Sequence, residues 1–302
     1  MRKTLLIAAD VDASLRERAL EDGRFDVTQT PVRTEDELAA IVGDAQVLVT
    51  RAYNKVTRRV IASAPRLELI AQATSGIDNI DAQAARERGI RILNMPGINA
   101  NAVAELVLGN MIALTRTIPF YTREVVRGTW PREDCATRHE LRHFSLGILG
   151  LGQVGRIVAR LASAFGMQVR AYDPYITDFP NATRVPSLAE LLATADILTV
   201  HVPLTEETHR MIGAREIAAM PRGAYLVNAS RGEVVDQSAA LTALADGQLS
   251  GLALDVFDPE PPRTIFPDDP RLILTPHVGG CTHEVKSAAG AKLFEQIRTF
   301  YA

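Results

Sequence analysis

The run Gly150-Leu151-Gly152-Gln153-Val154-Gly155 lies halfway along the chain and restricts its possible folds more than any other segment. It follows the apolar run 145–149 and opens an amphipathic run over 156–165, so it reads as a strand, a tight glycine turn and a helix. The first glycine permits the turn, the second lets backbone approach a pyrophosphate, and the third lets the helix pack closely on the strand. The helix N-terminus offers N–H groups and the positive end of a dipole to phosphates. A second apolar strand, 168–172, ends in Asp173, about twenty residues after the glycines. A carboxylate there accepts both hydroxyl hydrogens of an adenosine ribose and repels a 2′-phosphate, which favours NAD over NADP.

The rest of the chain alternates short apolar runs with amphipathic ones. Before residue 97 the pattern predicts strands at 4–8, 47–50, 69–73 and 91–94, with helices at 12–22, 34–42, 57–64 and 81–88. Asn94-Met95-Pro96-Gly97 interrupts it as a candidate hinge. The run 100–115 is so apolar that a helix there belongs between domains or between subunits. A second series follows, with strands expected at 145–149, 168–172, 197–200, 224–228, 251–255 and 272–274. Helices are expected at 156–165, 188–193, 214–220 and 238–246, and a last one at 282–300. The alternation of β and α segments predicts α/β architecture with two doubly wound parallel-sheet lobes. Because the glycine turn is central, one lobe should comprise 1–97 plus 281–302 and the nucleotide lobe 98–280. Two crossings, near Pro96 and Gly280, would make a hinge, with a substrate meeting the cofactor in the cleft.

Composition narrows the function. At 302 residues two proper cores fit, and a net charge of −3 favours neither nucleic acid nor an anionic membrane as a partner. Cys135 and Cys281 are too few and too far apart for a disulfide framework, which fits a reducing, cytoplasmic compartment. The N-terminal apolar run is too short for a signal-peptide core and is cut by Asp10 and Asp12; no apolar stretch reaches membrane-spanning length.

Three strand ends carry groups suited to hydride transfer. The run Asn228-Ala229-Ser230-Arg231-Gly232 delivers Arg231 just past a strand. Asp255-Val256-Phe257 delivers Asp255 and then Glu260, which is followed by Pro261-Pro262, and Thr275-Pro276-His277 delivers His277. Each alone has a bland reading as a surface arginine, a loop carboxylate or a turn histidine. Their succession at strand ends, where open α/β sheets bind ligands, argues for a site.

These segments, together with Thr74-Ser75-Gly76-Ile77-Asp78-Asn79-Ile80-Asp81 and Asn101-Ala102-Val103-Ala104-Glu105-Leu106, resemble the D-isomer-specific 2-hydroxyacid dehydrogenase family. The resemblance covers nearly the whole chain and is closest to the catalytic core of D-3-phosphoglycerate dehydrogenases. It implies a Rossmann NAD-binding domain inserted in a flavodoxin-like substrate-binding domain, and catalytic roles for Arg231, Glu260 and His277. The NAD contacts it implies are Ser75, Val103, Gly150, Gly152, Gln153, Val154, Gly155 and Asp173. Val202, Pro203, Ala229, Ser230, Arg231, Asp255, His277, Gly279 and Gly280 complete that set. Substrate contacts are expected at Arg51, Thr74, Ser75, Gly76, Arg231 and His277, no metal is implied, and the apolar helix from Ala100 corresponds to a homodimer interface.

The implied reaction is chemically coherent. Arg231 can hold the carboxylate and ketone of a 2-oxo acid with its fork of donors, while backbone N–H groups near Ser75 and Gly76 receive the carboxylate. His277 exchanges the proton as hydride passes to or from NAD, Glu260 favours its imidazolium, and Asp255 holds the nicotinamide amide. Arg51 and Lys55 suit a phosphorylated substrate, whereas Gln72 stands where phosphoglycerate enzymes often have arginine. Glyoxylate or hydroxypyruvate reduction is therefore the alternative, and an NAD(H)-sensing, corepressor-like binding protein is the alternative from another class. Phosphoglycerate enzymes often add C-terminal regulatory domains; this chain ends at Ala302, so serine feedback through such a domain is not expected. His139-Glu140-Leu141-Arg142-His143 matches the HExxH string of zinc hydrolases, but the strand expected at 145 leaves little room for its helix. Cys281 reads as a packing substitution and His201 as a structural histidine.

Overall fold

The computed structural model describes residues 2–133 and 138–302, so Cys135 lies outside the described residues. The chain divides into two units, Met1–Asn99 with Cys281–Ala302, and Ala100–Gly280.

The first unit is a five-stranded parallel sheet of β1 (Lys3–Ile7), β2 (Phe25–Gln29), β3 (Val47–Thr50), β4 (Leu69–Gln72) and β5 (Arg91–Leu93). Its order, β2-β1-β3-β4-β5, is the flavodoxin-like arrangement. β3 and β4 are buried along their whole length, as continuous apolar runs covered on both faces must be. Helices α1 (Ala13–Asp22), α2 (Glu35–Ile41), α3 (Arg58–Ala62) and α4 (Ala82–Glu87) connect the strands. Their starts are set by side-chain caps: Asp12, the Thr34/Glu37 capping box, Thr57 and Asp81 each receive a first-turn N–H.

The second unit opens with α5 (Ala100–Thr115) and α6 (Ile118–Val126). It continues through β6 (Ser145–Leu149), α7 (Gln153–Ala164), β7 (Gln168–Tyr172), β8 (Thr183–Arg184), α8 (Leu188–Thr194), β9 (Ile197–Val200) and α9 (Ala214–Ala218). β10 (Ala224–Asn228), α10 (Gln237–Ala245), β11 (Leu249–Leu254) and β12 (Leu272–Leu274) complete it. The parallel sheet runs β12-β11-β10-β9-β6-β7-β8, which is the Rossmann order with one strand added beyond β11. Its glycine-turn strand, β6, lies between β7 and β9 at the point where strand order reverses. Last, α11 (His283–Phe300) rejoins the first unit, packing Leu293, Phe294 and Ile297 against Leu15, Ala19 and Phe25. Among the described residues no single helix is long and apolar enough to cross a membrane.

Three elements depart from the sequence expectation. β2 is an edge strand whose residues after Phe25 are largely exposed, so Phe-Asp-Val-Thr-Gln lacks the apolar run by which its neighbours are read. α6 is rich in β-branched residues and buries none of its side chains, so neither propensity nor core pattern announces it. β8 is only two residues long. In addition, β11 begins at Leu249 rather than 251, and Cys281 is exposed rather than packed.

Candidate active site

At the end of β6 the three glycines meet different demands. Gly150 has φ +89°, and a Cβ there would meet the His201 carbonyl at 2.8 Å and Val202 at 2.9 Å. A Cβ on Gly155 would lie 2.3 Å from the Gly150 oxygen, so this glycine permits the helix to close on its own turn. At Gly152 nothing lies within 4 Å. Gly152 is the N-cap of α7 and has no side chain to satisfy the first N–H groups, leaving an open, donor-lined cradle that fits a pyrophosphate. Gln153 and Val154 form the first turn of this helix, Val202 covers Gly150, and Pro203 follows on the surface.

Asp173, just past β7, accepts Leu151 N–H on Oδ2 at 2.9 Å and Tyr175 N–H on Oδ1 at 3.0 Å. Each oxygen thus carries one backbone donor and keeps acceptor capacity for a ribose hydroxyl. The same contact ties the carboxylate directly to the glycine turn. The cradle and the carboxylate together fit the adenosine diphosphate half of NAD.

The strand ends of β10, β11 and β12 assemble the candidate catalytic groups. Asn228, buried at the end of β10, accepts Ser230 N–H and Oγ–H on Oδ1 and donates Nδ2–H to the Arg231 carbonyl at 2.9 Å. That brace shapes the Ala229–Ser230–Arg231 turn. Gly232 then presses against the next loop, since a Cβ there would fall 2.1 Å from the Phe257 carbonyl. Asp255, only 2 % exposed, accepts Thr275 Oγ1–H at 2.6 Å, Val278 N–H at 2.8 Å and Gly279 N–H at 2.8 Å. Gly279 lies so close to Asp255 that its Cβ would meet Oδ2 at 2.9 Å and Val103 of α5 at 3.4 Å.

His277 sits within that tethered segment at φ +54°, a left-handed conformation uncommon for a residue with a Cβ. Its N–H donates to the Asp255 carbonyl at 2.8 Å, and its Nδ1 lies 2.7 Å from Glu260 Oε2. Glu260 accepts Phe257 N–H on its other oxygen at 3.0 Å. The hydrogen bond that His277 donates to Glu260 pushes the imidazole above histidine's ordinary value; burial opposes the rise, and the charges of Glu260 and Asp255 add to it. Burial alone would raise Glu260, but the bond and charge of His277, the Phe257 N–H and the charge of Arg231 hold it below the usual carboxylate range. Arg231 also opposes the rise of His277, so the three side chains share one electrostatic environment.

Among the expected site residues, the second unit brings Arg231, Asp255, Glu260, His277, Gly279 and Val103 into one neighbourhood. Around the glycine turn it assembles Gly150, Gly152, Gln153, Val154, Gly155, Asp173 and Val202. Arg51, Thr74, Ser75 and Gly76 lie in the first unit, at the ends of β3 and β4. There Arg51 Nη1 donates to the Asp10 carbonyl at 3.1 Å, and Gln72 is fully buried and bonded within the protein. Among the described residues the N–H groups of Ser75 and Gly76 have no protein acceptor. Sequence reasoning missed Thr275 and Asn228 as braces; a hydroxyl before Pro276 and an amide three residues before Arg231 were the available signals.

The remaining motifs are structural. His139–His143 is no helix: Leu141–His143 forms a single 3₁₀ turn with Leu141 buried, while Glu140 pairs with Arg142 at 2.6 Å. Among the described residues no three His, Cys, Asp or Glu side chains gather to hold a metal. Burial pushes His201 down to about 3, and its Nε2 is 2.9 Å from Thr199 Oγ1.

Comparison with known proteins identifies the family of the chain. Residues 108–279 match the NAD binding domain of D-isomer specific 2-hydroxyacid dehydrogenases. The D-3-phosphoglycerate dehydrogenase of Methanocaldococcus jannaschii is 42% identical over 274 residues, which make up 88% of this chain and 51% of that protein. The hydroxypyruvate reductase of Thermotoga maritima is 38% identical over 268 residues, 87% of each chain. A D-lactate dehydrogenase from Aquifex aeolicus, solved with NAD and lactic acid, superposes with a TM-score of 0.87 at 28% identity, over 99% of this chain and 95% of its own. The chain spans about half the length of the phosphoglycerate dehydrogenases it matches. It belongs to the D-isomer specific 2-hydroxyacid dehydrogenase family.

Proposed function

We propose that the chain is an NAD-dependent oxidoreductase that interconverts a D-2-hydroxy acid and its 2-oxo acid. The observation that carries this reading is the Glu260–His277 pair beside Arg231 in the unit that matches the NAD binding domain. When bound, NADH supplies hydride to the substrate carbonyl carbon. With Nδ1 committed to Glu260, His277 delivers its Nε2 proton to the carbonyl oxygen in reduction and takes it back in oxidation. Arg231 fixes the carboxylate and carbonyl and stabilises charge developing on that oxygen. Asp255 shapes the 275–279 segment and retains acceptor capacity on Oδ2 for the nicotinamide amide. The unengaged N–H groups of Ser75 and Gly76 support their role in receiving a carboxylate, with Thr74 and Arg51 alongside.

The substrate we favour is a three-carbon acid of the phosphoglycerate type, which the Methanocaldococcus relative supports. Hydroxypyruvate or glyoxylate is the second reading. It is supported by Gln72, which is buried and internally bonded, and by Arg51, which donates from Nη1 to the Asp10 backbone carbonyl. We further infer a homodimer through α5 and the following segment, where Ile118, Val125, Val126 and Trp130 are 47%, 52%, 82% and 77% exposed. The low cysteine content supports a cytoplasmic location.

Assay of NADH and NADPH oxidation with phosphohydroxypyruvate, hydroxypyruvate, glyoxylate and pyruvate tests the reading. We expect turnover with NADH, and a loss of orders of magnitude in His277→Gln while NADH still binds. NADH binding without turnover on any 2-oxo acid would favour a sensor instead, and near-normal turnover in His277→Gln would remove the proton-donor assignment.

A further inference from the structure

The C-terminal edge of the first sheet holds a buried chain of uncharged side chains. Thr50 ends β3 and Gln72 ends β4; the two are register partners, and both are fully buried. Thr50 Oγ1 donates to Gln72 Oε1 at 2.6 Å. Gln72 Nε2 faces three acceptors: Thr74 Oγ1 at 2.9 Å, the Gly76 carbonyl at 3.1 Å and Asn79 Oδ1 at 2.8 Å. An amide nitrogen has two hydrogens, so all its donor capacity is spent on the 74–79 loop.

The direction of this chain is fixed by groups that can only accept. Asn79 Nδ2 donates to the carbonyls of Arg51 at 3.1 Å and Asn54 at 2.7 Å. That orientation turns Asn79 Oδ1 toward Gln72, which must answer with its nitrogen. The Gln72 oxygen then faces Thr50, whose hydroxyl must donate. Asn54, itself buried, anchors the far end through the Ala8 and Val32 carbonyls and the Arg51 N–H. The loop carrying the Ser75 and Gly76 N–H groups is thereby tied to the ends of β1, β3 and β4.

We propose that Gln72, oriented by Asn79 and held through its oxygen by the Thr50 hydroxyl, is a positioning residue that holds the Thr74–Gly76 backbone so that the Ser75 and Gly76 N–H groups are presented to the substrate carboxylate. This rests on the reading of that backbone as carboxylate-binding. Gln72 spends its hydrogen bonds inside the protein, so it acts through the loop rather than by touching substrate. Every side chain in the chain is uncharged, so its effect does not vary with pH, unlike that of the Glu260–His277 pair.

The test is steady-state kinetics of the full chain with NADH and the best 2-oxo acid, with NADH affinity read by fluorescence. Thr50→Val leaves Gln72 Oε1 buried without a donor, and Gln72→Leu removes the hub. Both should raise KM for the oxo acid by about tenfold, leave kcat within about twofold and leave NADH affinity unchanged across pH 6 to 8. Thr50→Ser, which restores the hydroxyl, should restore KM. If Gln72→Leu does not fold, the Thr50 pair decides. An unchanged KM in Thr50→Val, a kcat loss as large as the kcat/KM loss, or no recovery in Thr50→Ser would each overturn the proposal. Absence of wild-type turnover on any 2-oxo acid would overturn the underlying reading, and with it this one.

Discussion

His277 and Glu260 are joined by a 2.7 Å contact between Nδ1 and Oε2, and neither partner is free to turn away from it. The Phe257 N–H holds the other carboxylate oxygen, and the left-handed backbone of His277 is pinned by its own N–H on the Asp255 carbonyl. In the proposed reaction the pair therefore leaves Nε2 as the nitrogen that carries the mobile proton, and fixes where it points. The side chains are 43% and 37% exposed, so the contact contributes at most about 1 kcal/mol to stability. Its larger effect is on protonation.

Glu260→Gln should change the pH profile more than the fold. The His277 pKa is raised by the Glu260 hydrogen bond, and burial pulls it down once that bond is weakened. A raised histidine pKa stabilises the fold at low pH, and this contribution fades as pH rises through it. Reduction needs the imidazolium and follows the same sign, falling as pH rises through that value. In the variant the fall in kcat/KM for reduction should move to lower pH, and the rise for oxidation should move with it. Superimposable profiles for wild type and variant would rule out Glu260 as the group that tunes His277.

Gly152→Ala and Gly155→Ala should separate cofactor binding from folding. At Gly152 a methyl group meets no protein atom within 4 Å, so the melting temperature should hold while NADH affinity drops through intrusion on the pyrophosphate cradle. At Gly155 the methyl would lie 2.3 Å from the Gly150 carbonyl, so strand and helix must part, at a cost of about 1–3 kcal/mol. Thermal melts and NADH titrations of the two proteins give the comparison. Equal losses of stability in both would contradict the open cradle.

Much of this architecture was legible because buried parallel strands are continuous apolar runs. The bounds of β3, β6, β7, β9, β10 and β12, and of the apolar helix α5, coincide with the runs read from the sequence. β2 and α6 were not legible for the same reason, since neither contributes a full apolar face to a core. In the candidate site, glycines and charged groups at strand ends stand out by residue type. Their supports do not: Asn228, Thr275 and Gln72 become visible only when the chain closes and their donors and acceptors can be counted. Gln72 is the sharpest case, because its identity alone says nothing about whether it faces a ligand or the protein interior.

Asp255→Asn should show how far one carboxylate organises the β12 end. Asp255 accepts from Thr275 and Val278 on one oxygen and from Gly279 on the other. In either amide orientation an N–H group must face a backbone N–H that has lost its acceptor. Leaving such a group unsatisfied costs about 1–3 kcal/mol. We expect the melting temperature to fall by several degrees and both kcat and NADH affinity to decline, because His277 and Gly279 lie on the released segment. Wild-type stability together with wild-type kinetics would show that the three contacts are dispensable.

Val126→Glu tests the proposed dimer. Val126 and Trp130 are mostly exposed, and burying an apolar side chain of this size contributes about 1.5–3 kcal/mol. In a two-fold interface each substitution occurs twice, so the variant would bury two carboxylates without partners. Light scattering after gel filtration should give a wild-type mass of twice 32.9 kDa and a variant mass shifted to the monomer. The isolated monomer should keep its NADH affinity, since the glycine cradle and Asp173 are supplied by one chain. A wild-type chain that stays monomeric at every concentration would remove the interface, and a variant that stays dimeric would move it away from α6.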